Sequence, residues 1–384
     1  MQASKAASSD VCSRVMSFDG SGATQHFVTL TIDPSVPAAE AARALCAEAS
    51  ELVAGLGIQP LQEKLYGRDE LRSQVLAERA SQLQERGLEV TPATYLDGRP
   101  AAGGNLAGLQ LWGVSPRQES RQQVETLSDT GGPIRCWSGP DFRLLALSQL
   151  TGEDGGGSNG VDEQAARMFT AARAQLRACG TDYPGVVRTW IYLKRILDWY
   201  GEFNRVRTAY YQQWLPAEAE GTRVLPASTG IQGHSGSEEC LMELLAAGGP
   251  GVKARPVLAS ARQASPLCYG VSFSRAMALE VDGLTALFVS GTASLDLQGR
   301  VLHRDLPEQQ YVESMLGLAS ILESQGGSLE DVCSATLFCK NADVYRSCLE
   351  VSRLLQLPEL PVVPVLADVC RPDLLVELEA VAIL

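Results

Sequence analysis

The final stretch of the chain alternates as an extended strand does. From Leu374, residues Leu374, Val376, Leu378, Ala380, Ala382 and Leu384 fall on one face, and Leu375, Glu377, Glu379, Val381 and Ile383 on the other. HFVTLTID (His26–Asp33) alternates in the same way. PAAEAARALCAEASELVAG (Pro37–Gly55) has helical spacing, opened by Pro and closed by Gly. The pattern then predicts a strand over Ile58–Leu65, a charged amphipathic helix over Arg68–Arg86 ended by Gly87, and strands over Leu88–Tyr95 and Leu106–Val114 around the loop LDGRPAAGGN. Residues 1 to about 24 read as a loose arm, so this part sums to βαβαββ. A polar, Gly-rich connection leads to a strand over Phe142–Leu150, and GEDGGGSNG (Gly152–Gly160) reads as an exposed loop.

An internal repeat follows. Gln164–Lys194 and Gln310–Lys340 align without a gap, with Gln164 and Gln310, Leu176 and Leu322, Gly180 and Gly326, Val186 and Val332, and Lys194 and Lys340 coinciding, and Tyr192 facing Phe338. Each copy reads as a helix, a Gly cap and a strand. A preceding strand matches in type, Leu144–Gly152 against Ala286–Ser294, and so does a closing one, Leu241–Gly248 against Leu375–Ala382, which pairs Glu243 with Glu377. The class is α/β (α+β), with a worn module over 1–115 and two clear copies over 116–252 and 253–384. Three such units in one chain can close around a pseudo-threefold axis, each sheet packing its open face against the next.

Composition narrows the function. The 32 basic and 45 acidic residues leave a net charge of −13, which argues against nucleic acid and anionic membranes as partners. Nowhere do eighteen apolar residues run together, and no signal-peptide run opens the chain, so a cytoplasmic protein is expected. The ten Cys lack paired spacing, and Cys46, Cys179, Cys240 and Cys333 sit in apolar runs, as reduced core thiols do. His26, His234 and His303 lie far apart, so neither a His-based metal centre nor a Ser-His-Asp arrangement is readable.

Glu377 and Glu379 share a face with apolar neighbours. A carboxylate there is either paired or shifted until it carries a proton near neutral pH, which is what a general acid needs. The plainer reading is an edge strand with two solvated Glu. The copies also diverge where one carries polar groups that the other lacks. Arg188 stands where its partner has Ser334, and Phe203, Asn204 and Arg207 lie a helical turn apart. LPASTGIQG (Leu225–Gly233) is small and polar enough for its backbone N–H groups to face a ligand. SARQAS and SFSRA add Arg262 and Arg275. Such guanidinium groups suit a small molecule with more than one carboxylate.

The unit ending in LLVELEAVAIL resembles the RidA/YjgF family (a chorismate-mutase-like fold), whose small subunits form trimers with ligand sites between subunits. The combination RTWIYL, YGEFNRVR, LPASTGIQG, RQAS, FSRA, VSGTAS and DVCRPDLLVELE, over roughly residues 140–384, resembles the chorismatases, which carry several such units in one chain. The resemblance implies release of pyruvate from chorismate without metal or cofactor. It makes Glu377 the acid on the enolpyruvyl methylene, and Cys370 the marker of the branch that yields 3-hydroxybenzoate rather than a dihydroxycyclohexadiene carboxylate. Position by position it gives a binding set of Arg188, Asn204, Arg207, Thr229, Arg262, Tyr269, Arg275, Gly291 and Ser294. It implies a small dicarboxylate as partner, and a monomer with a pseudo-trimeric core or a homo-oligomer. Two departures stand out. PLCYGV (Pro266–Val271) is shorter than the Tyr-containing loop expected of a chorismatase, and PVVPVLADVC (Pro361–Cys370) lacks the Arg that imine-deaminating RidA proteins carry there. The alternatives are a RidA-like enzyme on another small carboxylate or imine, and a metabolite-binding protein without catalysis.

Overall fold

The computed structural model describes residues 2–7, 10–128, 131–152, 160–216 and 224–384, with side chains from residue 10 onward. Its elements fall into three runs. The first is β1 (Gln2–Ala7), β2 (Val11–Asp19), β3 (Ala23–Ile32), α1 (Ala38–Leu56), β4 (Gln59–Gly67), α2 (Arg72–Glu85), β5 (Thr94–Asp97), the short β6 (Arg99–Pro100) and β7 (Leu106–Pro116). The second is β8 (Gln123–Leu127), β9 (Ile134–Ser138), β10 (Arg143–Thr151), α3 (Val161–Ala178), β11 (Val186–Leu193), α4 (Ile196–Trp214), β12 (Ala227–Gln232) and β13 (Cys240–Gly248). The third is β14 (Lys253–Val257), β15 (Ala276–Val281), β16 (Leu284–Ala293), α5 (Pro307–Glu323), β17 (Val332–Cys339), α6 (Ala342–Leu354), β18 (Val362–Leu366) and β19 (Val376–Ile383).

The three sheets share one strand order: β1-β2-β3-β7-β4-β5, β8-β9-β10-β13-β11-β12 and β14-β15-β16-β19-β17-β18, the last extended by β6. The N-terminal copy is therefore as complete in topology as the other two. In each sheet the closing strand lies in the middle, antiparallel to both neighbours, and the strand before it pairs in parallel across a helical crossover. Two helices cover one face of each sheet, over separate cores around Leu45, Phe169 and Leu318. The opposite faces meet in one central core, where Phe27 and Trp112, Trp190 and Tyr192, and Phe288 and Phe338 come from different runs. Strands buried on both faces lose the clean alternation of a half-solvated sheet. Gly180 and Gly326 close α3 and α5 at φ 76° and 86°, where a side chain would be strained.

Several expectations are corrected. The loose arm is two strands: β1 and β2 pair antiparallel, with Val11, Ser13 and Val15 turned inward, and the polar Ser13 on the buried face beside apolar Cys12 and Met16 on the other hid the alternation. The polar connection after residue 115 contains β8 and β9, whose Ile134, Cys136 and Trp137 are buried. Of Leu88–Tyr95, only Thr94 onward is extended. Gly57, at φ 62°, rather than Gly55, closes α1. LPASTGIQG is not a loop but mostly a strand, β12, with Ser228 and Gly230 bordering a cleft. Of the exposed loop Gly152–Gly160, residues 153–159 lie outside the described residues. The closing strand β19 is central, not an edge, and both its Glu are buried.

The repeat register also changes. Each bulged strand restarts against its closing neighbour at Gln62↔Trp112, Arg188↔Leu245 and Ser334↔Val381. Two residues on, Lys64 faces Gln110, Trp190 faces Glu243, and Thr336 faces Glu379. Glu243 therefore corresponds to Glu379, not to Glu377, whose counterpart is Leu241, opposite Tyr192 as Glu377 is opposite Phe338. Alternation by two hides a slip of two, because the same face stays buried.

Candidate active site between the second and third sheets

The seam between the second and third sheets is tied by backbone groups. Ser228 N donates to Ser290 Oγ at 2.8 Å, and Ser274 N to Pro226 O at 3.0 Å. Beside these ties lies a cleft walled by α4 and β12 on one side and by the segment before β15, β16 and β19 on the other. Its free volume is about 50 Å³, room for a few waters.

Glu377 forms part of this wall, 5% exposed, between Ala293 on β16 and Phe338 on β17. The carboxyl lies against bare backbone: a Cβ on Gly291 would sit 2.1 Å from Oε1, so Gly291 is the residue that makes room for the acid. Burial pushes the carboxyl up to about 8, Glu379 adds to the rise, and Arg188 and Arg275 oppose it. Cys370 faces the same cleft. Burial, reinforced by Glu377, pushes its thiol up to about 12, so it is a neutral wall rather than a thiolate nucleophile.

Three guanidinium groups converge opposite. Arg207, 1% exposed, donates to Asn204 Oδ1 at 2.5 Å and has its buried Nε–H without a partner. Arg275 is held by Ala264 O at 2.9 Å and donates to the Tyr269 hydroxyl. Arg371 donates to Gly299 O. Arg207 and Arg275 lie 5.8 and 5.7 Å from the Phe273 ring, while Arg275 and Arg371 lie 5.6 and 5.7 Å from the Tyr269 ring, so two aromatic rings space three cations. The short PLCYGV connection forms a 3-10 turn over Pro266–Tyr269, which still delivers Tyr269 to the cleft.

The structure thus brings Glu377, Cys370, Arg207, Tyr269, Arg275 and Gly291 together, with Asn204 behind Arg207. It does not bring in the rest of the set expected from sequence. Arg188 turns toward the axis and donates from Nη2 to Glu379 Oε2 at 2.7 Å and to Thr229 Oγ1 at 2.6 Å, which also occupies Thr229. Arg262 is exposed and paired with Glu313 at 2.8 Å. Ser294 Oγ donates to Leu302 O at 3.3 Å. Sequence reasoning missed Tyr200, Ser228, Phe273, Arg371 and Leu374 in the wall. Two signals were available: Tyr200 is two helical turns from Arg207, on the same face, and Phe273 is one strand period from Arg275.

Behind Glu377, where the three sheets meet, a cavity of about 40 Å³ is lined by charged groups. Lys64 Nζ lies 3.2 Å from Glu243 Oε2 and 3.8 Å above the Trp190 ring, and Gln62 donates to the same Glu243 oxygen at 2.9 Å. Thr336 donates to Glu379 Oε1 at 3.1 Å, opposite the Arg188 fork. Two carboxylates and two cations close this network, and Glu379 stands as the buried anion nearest to Glu377 along β19. Among the described residues no group of three or more His, Cys, Asp or Glu is placed to hold a metal, and no helix is long and apolar enough to cross a membrane.

A carboxyl held near 8 is protonated below that pH and ionised above it. Turnover that uses Glu377 as an acid should therefore be flat through neutrality and fall as pH rises through about 8. A pH profile of kcat/KM, which reports the free enzyme's groups, measures this, and a limb in the ordinary carboxylate range would refute it.

Residues 271–384 match the family described as Endoribonuclease L-PSP. Among solved structures, the chain is similar to a crystal structure of a chorismatase, with a TM-score of 0.59, 21% identity, and 84% of this chain and 92% of that one covered. The chain has the chorismatase fold. Shorter structures match about a third of the chain. One is a YjgF-family member from Neisseria meningitidis, with 19% identity, 33% of this chain and 95% of that one, and a TM-score of 0.25. Another is a putative endoribonuclease from Thermotoga maritima, with 29% identity, 29% and 86% coverage, and a TM-score of 0.25. No curated protein matches the sequence. The chorismatase fold agrees with the tandem RidA/YjgF-like units expected from the repeat.

Proposed function

We propose that this chain is a chorismatase-like enzyme that releases pyruvate from chorismate. The observation that carries the reading is a buried carboxyl, protonated at neutral pH, facing three converged guanidinium groups across a cleft between two units. Arg207, Arg275 and Arg371 bind the substrate's two carboxylates, which fixes the enolpyruvyl ether against Glu377. Glu377 gives its proton to the methylene carbon, and the ether carbon becomes an oxocarbenium centre. Attack on that centre by water, followed by loss of the ring oxygen, gives pyruvate and a dihydroxycyclohexadiene carboxylate. Attack by the ring hydroxyl instead gives a cyclic ketal. Loss of the proton on the ring carbon that bears the ether, with cleavage of the neighbouring ring carbon's bond to the attacking oxygen, makes the ring aromatic, and collapse of the hemiketal so formed gives pyruvate and 3-hydroxybenzoate. Both routes return a proton to the glutamate. The narrow cleft admits a ring only if part of its wall, such as the turn Pro266–Tyr269 with its exposed Leu267 and Cys268, moves aside.

Incubation of the purified chain with chorismate should release pyruvate above the uncatalysed rate, followed by coupling to lactate dehydrogenase. No release would remove this reading. The Cys370 thiol, against the cleft, favours the ring-hydroxyl route by leaving less room for an ordered water. Cys370→Ala should therefore shift the product from 3-hydroxybenzoate toward the diene, read by chromatography. An unchanged mixture would deprive Cys370 of that role.

The small free volume favours a second reading, in which the same acid acts on a smaller carboxylate or imine. Against the imine, β18 carries no Arg. A panel of enol ethers and imines of graded size separates the two.

A further inference from the structure

A second cationic site lies apart from the cleft. The ends of β5, β12 and β18 and the residues after β11 and β17 border an opening of about 450 Å³ to which all three runs contribute. Arg99, Lys194 and Lys340 border it, with Arg195 already paired with Glu239 at 2.7 Å, beside the carboxylates of Asp97 and Asp368. Asp97 is already engaged by His234 Nε2 at 3.2 Å, and His234 Nδ1 is buried without a partner. In a chain of net charge −13, this is a local excess of positive charge.

The internal repeat shows that the excess is not incidental. Five positions are identical between Gln164–Lys194 and Gln310–Lys340. Four serve the fold. Gln164 and Gln310 each accept a backbone N–H from the start of the closing segment, at 3.2 and 2.8 Å. Leu176 and Leu322 are buried under the helices, Val186 and Val332 are buried in the strands, and Gly180 and Gly326 close the helices. The Lys pair has no such shared duty. Lys340 Nζ donates to Pro372 O at 2.7 Å, whereas Lys194 Nζ has no hydrogen bond or ion pair among the described residues, and neither does the Arg99 guanidinium. Arg99 is fixed in place because β6 pairs with β18, opposite Leu366. Two copies that have diverged almost everywhere else thus keep a cation at one position, and both cations border one opening.

We propose that this opening binds a small, multiply charged oxyanion, a polycarboxylate or a phosphate compound, held by Lys194, Lys340 and Arg99. Lys194 and Arg99 supply uncommitted donors, and one cation from each run surrounds the ligand. A monovalent carboxylate would meet too little of this charge to stay.

Calorimetric titration of the full chain with inorganic pyrophosphate and with citrate, and with acetate as the monovalent control, tests the site. Saturable single-site binding of at least one polyvalent probe is expected, and comparing the two tells phosphate from carboxylate chemistry. Lys194→Ala and Arg99→Ala should each weaken it by about tenfold, the loss of one charge-assisted bond. Arg275→Ala, in the cleft, should leave it unchanged, and Lys194→Ala should leave pyruvate release unchanged. Lys194→Gln with an unaltered thermal midpoint guards against loss of fold. No saturable binding of either probe, binding that survives both substitutions, or binding that disappears with Arg275→Ala instead would each overturn the proposal.

Discussion

Glu377→Gln should slow pyruvate release from chorismate by about 10²–10⁴-fold, the range that a positioned general acid supplies, while chorismate still binds. The substitution keeps the shape of the side chain against Gly291, so the narrow fit that a Cβ there would spoil is preserved. What is lost is the proton. Among the cleft residues, Cys370, Tyr200 and Tyr269 also carry acidic hydrogens, but burial raises all three well above neutrality, which makes them poor donors to a carbon. The groups proposed to bind the substrate, Arg207, Arg275 and Arg371, are not touched by the substitution. Coupled kinetics for turnover and calorimetry for binding separate the two effects. Loss of both would mean that Glu377 is part of the frame. Loss of neither would mean that Glu377 is not the proton donor and that another group supplies the proton.

Arg188→Ala should destabilise the chain by about 3–5 kcal/mol, the usual consequence of removing one partner from a buried ion pair. Arg188 is 1% exposed and is the cation nearest to Glu379, which lies on a different sheet and keeps only the Thr336 hydroxyl once the guanidinium is gone. The pair joins the second unit to the third, so its loss should lower the denaturation midpoint of the whole chain rather than fray one end. Arg188 also opposes the upward shift at Glu377, so its removal should move the basic limb of the pH profile upward in whatever folded protein remains. Chemical denaturation measures the first effect and the pH profile the second. A midpoint unchanged from the parent would show that the ion pair contributes nothing to the assembly of the units.

The candidate site was legible in sequence where chemistry depends on residue type and on strand or helix period. Glu377 stood out because a carboxylate recurred on an otherwise apolar face, and Arg207 and Arg275 because the second copy or the third carried a cation at a place of divergence. Arg188 met the same criterion and yet belongs to the axis, since a strand's period tells which face a side chain is on but not which neighbouring sheet that face meets. Arg262 failed because its helix neighbour Glu313 is distant in sequence. Arg371, next to Cys370, gave no period at all, because it stands on a turn.

Local order decided much of this protein before any folding contact. The alternation at its end and the Gly-capped helices are consequences of backbone geometry, which repeats over two or about four residues and so is written into the nearest neighbours, and the gap-free repeat is legible from the sequence's similarity to itself. Tertiary packing alone decided the rest: that β1 and β2 join the first sheet, that Glu243 is the counterpart of Glu379, and that one seam carries an acid where the equivalent positions hold Leu241 and Gly108. Each of those depends on which surfaces lie against one another across hundreds of residues, and on the burial that results, which no local period encodes.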